Sequence, residues 1–140
     1  MTRVVLDTNV LVSALLNPRG CPARIRDCML RGEITVAYDM RISDEYHEVL
    51  ARPAFGFARG DVERLLQFIE RAGVLVPSRP LGLHLPDPDD EPFVEVAVAA
   101  GCKAVVTGTT KHFAAVKGLS VRIMTPAAYV ERMSRPPQQD

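Results

Sequence analysis

The stretch Val4-Val5-Leu6-Asp7-Thr8-Asn9-Val10-Leu11-Val12 constrains this chain more than any other. A short β-branched apolar run ends in Asp-Thr-Asn, and a second apolar run follows at once. The first run has the length and composition of a buried parallel strand. In the second, Val10, Leu11, Ala14 and Leu15 recur at i, i+1, i+4 and i+5, one face of a helix. Asp7 then stands at the carboxyl end of a central strand, where open α/β sheets place their ligands. A carboxylate between two such segments costs free energy unless it is paired or coordinated. Two readings are open at this point: Asp7 or Asn9 caps the helix, or Asp7 belongs to a site.

The rest of the chain alternates in the same way. Arg3–Leu6 reads as a first strand and Asn9–Leu16 as a first helix. After an Asn-Pro-Arg-Gly turn, Pro22–Arg31 reads as a helix and Ile34–Ala37 as a strand. Asp39 is placed to cap a third helix, Arg41–Ala51, stopped by Pro53. A fourth helix follows over Asp61–Ala72, then a strand at Val74–Val76 and a proline-rich loop over Pro77–Pro88. The pattern closes with a helix at Asp90–Ala100, strands at Ala104–Thr107 and Val121–Met124, and a helix at Pro126–Met133 capped by Thr125. Residues 134–140, with two prolines and two glutamines, read as a frayed tail after a single domain over residues 1–133. This order predicts an α/β layer fold with a mainly parallel sheet, its strand ends after Leu6, Tyr38 and Val106 on one edge.

Composition bounds the function. The 140 residues suit one domain, and 47% hydrophobic content supplies a core for it. Lys+Arg and Asp+Glu number 17 each, so nucleic-acid binding would have to use local patches rather than a global basic field. Cys21, Cys28 and Cys102 lack metal-motif spacing and suggest reduced thiols of a cytoplasmic protein. Asp7 interrupts the N-terminal apolar run, so a signal peptide is not expected, nor is a membrane span.

Acidic residues then single themselves out. On the third helix, Ile42, Tyr46, Val49 and Leu50 form the apolar stripe. Glu45 lies about 40° beyond its edge, whereas Asp44 and Glu48 lie nearly opposite. Glu45 is therefore the acid at the rim of the core. In Asp87-Pro88-Asp89-Asp90-Glu91, four acids repel one another within five residues. Helix capping accounts for one or two of them. Asp90 shares the inward face of Phe93 and Val94, with Glu91 and Glu95 on the other side. Val105 through Phe113 runs a buried strand into Thr107-Gly108-Thr109-Thr110, where hydroxyls can meet a phosphate or simply cap a short helix. Three acids from three distant segments suit hard cations such as Mg²⁺ or Mn²⁺, which prefer oxygen ligands and keep several waters.

With these pieces in order, the chain resembles the PIN-domain family, in particular its small prokaryotic toxin components. The resemblance rests on residues 4–16, on Asp44-Glu45-Tyr46-His47-Glu48-Val49-Leu50, on Asp87 through Phe93, and on Val106-Thr107-Gly108 through His112-Phe113. It implies a Rossmann-like three-layer fold and divalent-metal-dependent hydrolysis of RNA, leaving 5′-phosphate and 3′-hydroxyl ends. By position, Asp7, Glu45 and Asp90 match the acidic ligands, and Asn9 and Thr107 the supporting polar positions. Many members carry an acid after the Thr-Gly pair. Here Thr109 fills that slot, which predicts weaker hold on a second metal ion unless Asp87 or Asp89 supplies the missing charge; Glu45 is expected to orient water or bind that second ion. The resemblance also implies an RNA substrate and a separate antitoxin chain, and it leaves room for a homodimer. Arg19, Arg24, Arg52, Lys111 and Lys117 are candidates for phosphate contacts, with Arg41 and Arg59 equally suited to solvated surface. The competing expectation is a PIN fold with weakened catalysis that binds RNA or protein. A nucleotide-binding Rossmann domain is disfavoured, because no Gly-x-Gly-x-x-Gly follows the first strand.

Overall fold

The computed structural model describes residues 2–135. Five strands form one parallel sheet: β1 (Thr2–Leu6), β2 (Ile34–Tyr38), β3 (Val74–Leu75), β4 (Ala104–Val106) and β5 (Arg122–Met124). Their spatial order is β3-β2-β1-β4-β5. Six helices flank the sheet in a three-layer α/β arrangement: α1 (Thr8–Leu16), α2 (Cys21–Leu30), α3 (Met40–Leu50), α4 (Arg59–Ala72), α5 (Glu91–Ala99) and α6 (Pro126–Ser134). α5 packs over β1, β2 and β4, with α3 and α4 beside it, while α2 lies against β2, α1 and α6. Of the tail expected over residues 134–140, Ser134 closes α6 and residues 136–140 lie outside the described residues. No helix among the described residues is long and apolar enough to cross a membrane.

The topology positions the site. From β1 the chain moves outward through β2 to β3, then returns through α5 to pair β4 with the other side of β1. Strand order therefore reverses between β1 and β4, the point where open α/β sheets bind ligands. Register places Val5 beside Val105 and Leu6 beside Val106, so the next residues, Asp7 and Thr107, emerge side by side. Val4, Val5, Leu6, Val105 and Val106 are all buried, as a strand covered on both faces requires.

Local chemistry explains the element ends. The Asp39 side chain accepts from the Ile42 N–H at 3.0 Å and caps α3, and Thr125 caps α6 through the Ala128 N–H at 3.1 Å. Gly73 ends α4 where a Cβ would lie 2.4 Å from the Ile69 carbonyl and 2.7 Å from that of Val36, so only glycine lets α4 meet β2 there. Two short 3₁₀ turns, Pro88–Asp90 and Thr110–Phe113, carry the chain into and out of the site edge.

Candidate active site

Asp7 is held from two sides. Its N–H donates to the Val106 carbonyl at 2.9 Å, which extends the β1–β4 ladder by one residue. Its side chain sits at the N-cap position of α1 but makes no capping bond. Instead Oδ2 accepts from the Thr107 hydroxyl at 2.7 Å. Capping alone therefore does not account for Asp7, although the first N–H groups of α1 favour its charge. Asp7 is 6% exposed. Burial raises its pKa, against the Thr107 hydroxyl, the nearby N–H groups of Asn9 and Thr8, and His112, which lower it.

Glu45 comes from α3, whose apolar stripe faces the sheet. Tyr46, 1% exposed, donates its hydroxyl to the Leu6 carbonyl, which ties α3 to the last turn of chain before Asp7. Glu45 is half-buried, while Asp44 and Glu48 are exposed, as the helical arc required. The Thr8 hydroxyl donates to Glu45 Oε2 and so bridges α1 and α3. Burial raises the Glu45 pKa; the Thr8 bond opposes this, and the charges of Asp7, Asp89 and Asp87 add to it.

Asp90 ends the first 3₁₀ turn, which Asp87 caps by accepting from the Asp89 N–H at 2.9 Å. Its pKa is pushed up to about 6, by burial first, then by Asp7 and Asp87, against the pull of His112 and with a further push from Glu45. Asp90 Oδ2 is buried and has no hydrogen-bond partner. His112 Nδ1 lies 3.8 Å away, close enough for charge attraction but too far for a hydrogen bond.

Opposite these acids stands a neutral wall. Thr107 Oγ1 also accepts from the Thr109 N–H at 3.1 Å and lies 3.2 Å from the Thr109 hydroxyl. Asn9 Nδ2 reaches Thr109 Oγ1 at 3.4 Å, and Asn9 Oδ1 accepts from the Gly108 N–H at 3.0 Å. Asn9, Thr107 and Thr109 thus form one connected group with Asp7, across about a hundred residues of sequence.

Asp7, Glu45 and Asp90 feel one another's charge, so the fold brings these three acids to one edge. Among the described residues, no three His, Cys, Asp or Glu side chains close around a common point as a finished metal cage does. The donor set still fits a hard cation. All donors are carboxylate oxygens, their pKa values are raised, and Asp90 Oδ2 is a buried acceptor without a donor. Mg²⁺ is commonly held by one or two carboxylates plus waters rather than by an all-protein cage.

Two features escaped the sequence reading. Thr8 was legible only as part of the turn, because its partner Glu45 is 37 residues away. Glu95, expected on the outward side of its helix, is 4% exposed. It pairs with Arg41 at 2.8 Å and accepts the Leu81 N–H at 2.9 Å, while Arg41 also reaches Asp39 and Ser78. α5 is buried around most of its circumference, so a position beyond the core-facing side still meets the 77–86 loop. The one available signal was an acid interrupting the run Phe93–Ala100. Among the phosphate-contact candidates, Arg52 is paired with Glu48, and Arg41 and Arg59 with Glu95 and Glu63.

Comparison with known proteins places this geometry. A family profile described as the PIN domain matches residues 3–111. An uncharacterized protein of Methanocaldococcus jannaschii is 24% identical over 143 residues, covering 95% of this chain and 92% of that one. The fold is similar to that of a chain in the crystal structure of VapBC2 from Rickettsia felis bound to a DNA fragment from their promoter. That likeness has a TM-score of 0.59 at 13% identity, over 89% of this chain and 98% of that chain. Strand order, switch-point acids and a family match across most of the length agree: the chain belongs to the PIN domain family.

Proposed function

We propose that this protein is a divalent-metal-dependent ribonuclease and the toxin of a toxin–antitoxin pair. The observation that carries the reading is the meeting of Asp7, Glu45 and Asp90, each with a raised pKa, at the switch point of the sheet. Partly buried carboxylates that repel one another, with Asp90 Oδ2 unpartnered, would be stabilised by a cation. Asp7 and Asp90 would hold Mg²⁺ or Mn²⁺. When bound, the ion supplies charge neutralisation on the phosphodiester and a more acidic water. Glu45 has Oε2 on the Thr8 hydroxyl, which leaves Oε1 to align the attacking water. Thr107 keeps Asp7 aimed into the cleft through its 2.7 Å bond.

Lys111 lies two residues beyond Thr109, is exposed, and has no ion-pair partner among the described residues, and Arg19 and Lys117 are likewise exposed and unpaired; these three are the candidates for substrate phosphates, whereas Arg24 lines a hollow with Arg31, Glu33 and Met133 toward the amino-terminal edge of the sheet. The VapBC2 neighbour, named for a two-component assembly, supports a separate antitoxin as the partner. The absence of a compact ligand cage among the described residues favours the second reading, a binding module of weakened activity.

Incubation of RNA with purified protein across Mg²⁺ and Mn²⁺ concentrations separates the two. Cleavage that EDTA abolishes and that Asp7→Asn lowers at least about a hundredfold is expected, the scale seen when a group acting on the transition state is lost. RNA binding without cleavage at any metal concentration would favour the binding module.

A further inference from the structure

The neutral wall has a direction, and the direction can be read from proton counting. Gly108 N–H donates to Asn9 Oδ1, so the Asn9 amide presents Nδ2 to Thr109 Oγ1. Thr107 has a single hydroxyl proton, and Asp7 Oδ2 at 2.7 Å takes it, because an ionised carboxylate only accepts. The Thr107–Thr109 contact at 3.2 Å must then have Thr109 as donor. With the Thr109 N–H also donated at 3.1 Å, Thr107 Oγ1 has given its proton and filled both lone pairs. Every donor in the series Asn9, Thr109, Thr107 points toward Asp7.

We propose that Thr109 is a positioning residue of the cation site: the one-way chain Asn9–Thr109–Thr107 locks one oxygen of Asp7, leaves the other for a divalent ion, and itself adds no charge that would hold a second. This rests on the function proposed above. Thr109 has committed its proton to Thr107 and one lone pair to Asn9. It keeps one lone pair and no charge, a weak ligand beside three carboxylates. Asp87 and Asp89 of the same cluster are exposed; their charges reach Glu45, and one Asp87 oxygen is engaged in capping the first 3₁₀ turn. His112, the side chain facing Asp90 from the second 3₁₀ turn, adds no negative charge.

The test is calorimetric titration of Mn²⁺ into the full chain and into Thr109→Val, Thr109→Ser, Thr109→Asp and Asp7→Asn, each checked for folding by thermal melt. The wild type should bind one ion per chain, and Asp7→Asn should lose it. Thr109→Val, which keeps the shape and removes the hydroxyl, should weaken binding roughly two- to tenfold, the scale of one hydrogen bond to a charged relay. Thr109→Ser should restore wild-type affinity, and Thr109→Asp should add a second binding event. If Thr109→Val does not fold, Asn9→Ala breaks the same chain at its first link and should weaken the ion in the same way. Two ions of similar affinity in the wild type overturn the proposal. So does a folded Thr109→Val with unchanged affinity, which leaves the metal-dependent reading standing. No ion bound by the wild type overturns both. One ion bound as expected, with no RNA cleaved, overturns the nuclease reading and sustains this one.

Discussion

At the residue scale, Asp90 decides how the metal-free protein responds to pH. Its folded pKa of about 6 lies above the 3.8 of an unperturbed aspartate, so the folded state holds the extra proton. That contribution to stability is fully present below pH 3.8 and is lost as pH rises through about 6. At neutral pH the ionised Asp90 is a burden that His112 relieves in part and a bound cation would relieve further. In the absence of metal, Asp90→Asn should therefore be more stable than the wild type at pH 7, by about 2 kcal/mol for a group 15% exposed. The advantage should vanish near pH 4. Urea midpoints at the two pH values check this, and equal differences at both would show that the proton plays no part.

At the element scale, two contacts fasten helices to the sheet around the site. Tyr46→Phe removes the buried bond from α3 to the Leu6 carbonyl while keeping the ring. A loss of about 1–2 kcal/mol is expected in denaturant melts. The second contact is the buried Glu95, which ties α5 to Arg41 on α3 and to the loop carrying Leu81. Arg41→Met strands Glu95 in the interior. The Arg41 end is half-exposed, so the cost should fall below that of a fully buried pair, at about 2–3 kcal/mol. Hydrogen exchange should then accelerate in residues 77–86, because the Leu81 N–H bond depends on the same carboxylate. Unchanged exchange there would mean the loop is held by its other ties, the burial of Leu85, its N–H bond to Glu91 and the Ser78–Asp39 bond.

At the scale of the whole molecule, the proposed ion couples to folding. A ligand bound only by the native state stabilises it by about 2.7 kcal/mol at a hundredfold excess over its Kd. Saturating Mn²⁺ should raise the wild-type melting temperature by several degrees and leave that of Asp7→Asn unmoved. The chain has zero net charge, so on the proposed function RNA is engaged by a few local basic side chains. Binding of RNA to the uncleaving Asp7→Asn variant should weaken with salt at a shallow slope, and Lys111→Ala should lower that slope by about one. A steep slope would point to a basic surface larger than Arg19, Lys111 and Lys117 supply.

The sequence by itself determined the order of strands and helices, the strand-to-helix turn at Asp7, the caps at Asp39 and Thr125, and the rim position of Glu45. These follow from short-range physics: periods of two and 3.6 residues, glycine and proline at element ends, and side chains that bond amides three residues on. The tertiary structure alone decided that Asp7 does not cap its helix, that Thr8 holds Glu45, and that Glu95 is inside with Arg41. It also decided the direction of the Asn9–Thr109–Thr107 chain. Apart from the Thr107–Thr109 step, these bonds join residues 37 to 100 apart, and the β1–β4 register that sets Leu6 beside Val106 is what brings Asp7 and Asn9 to Thr107 and Thr109. Periodicity carries no information on which distant partner a polar group will find. Only the packed sheet, by excluding water from those groups, makes one partner obligatory.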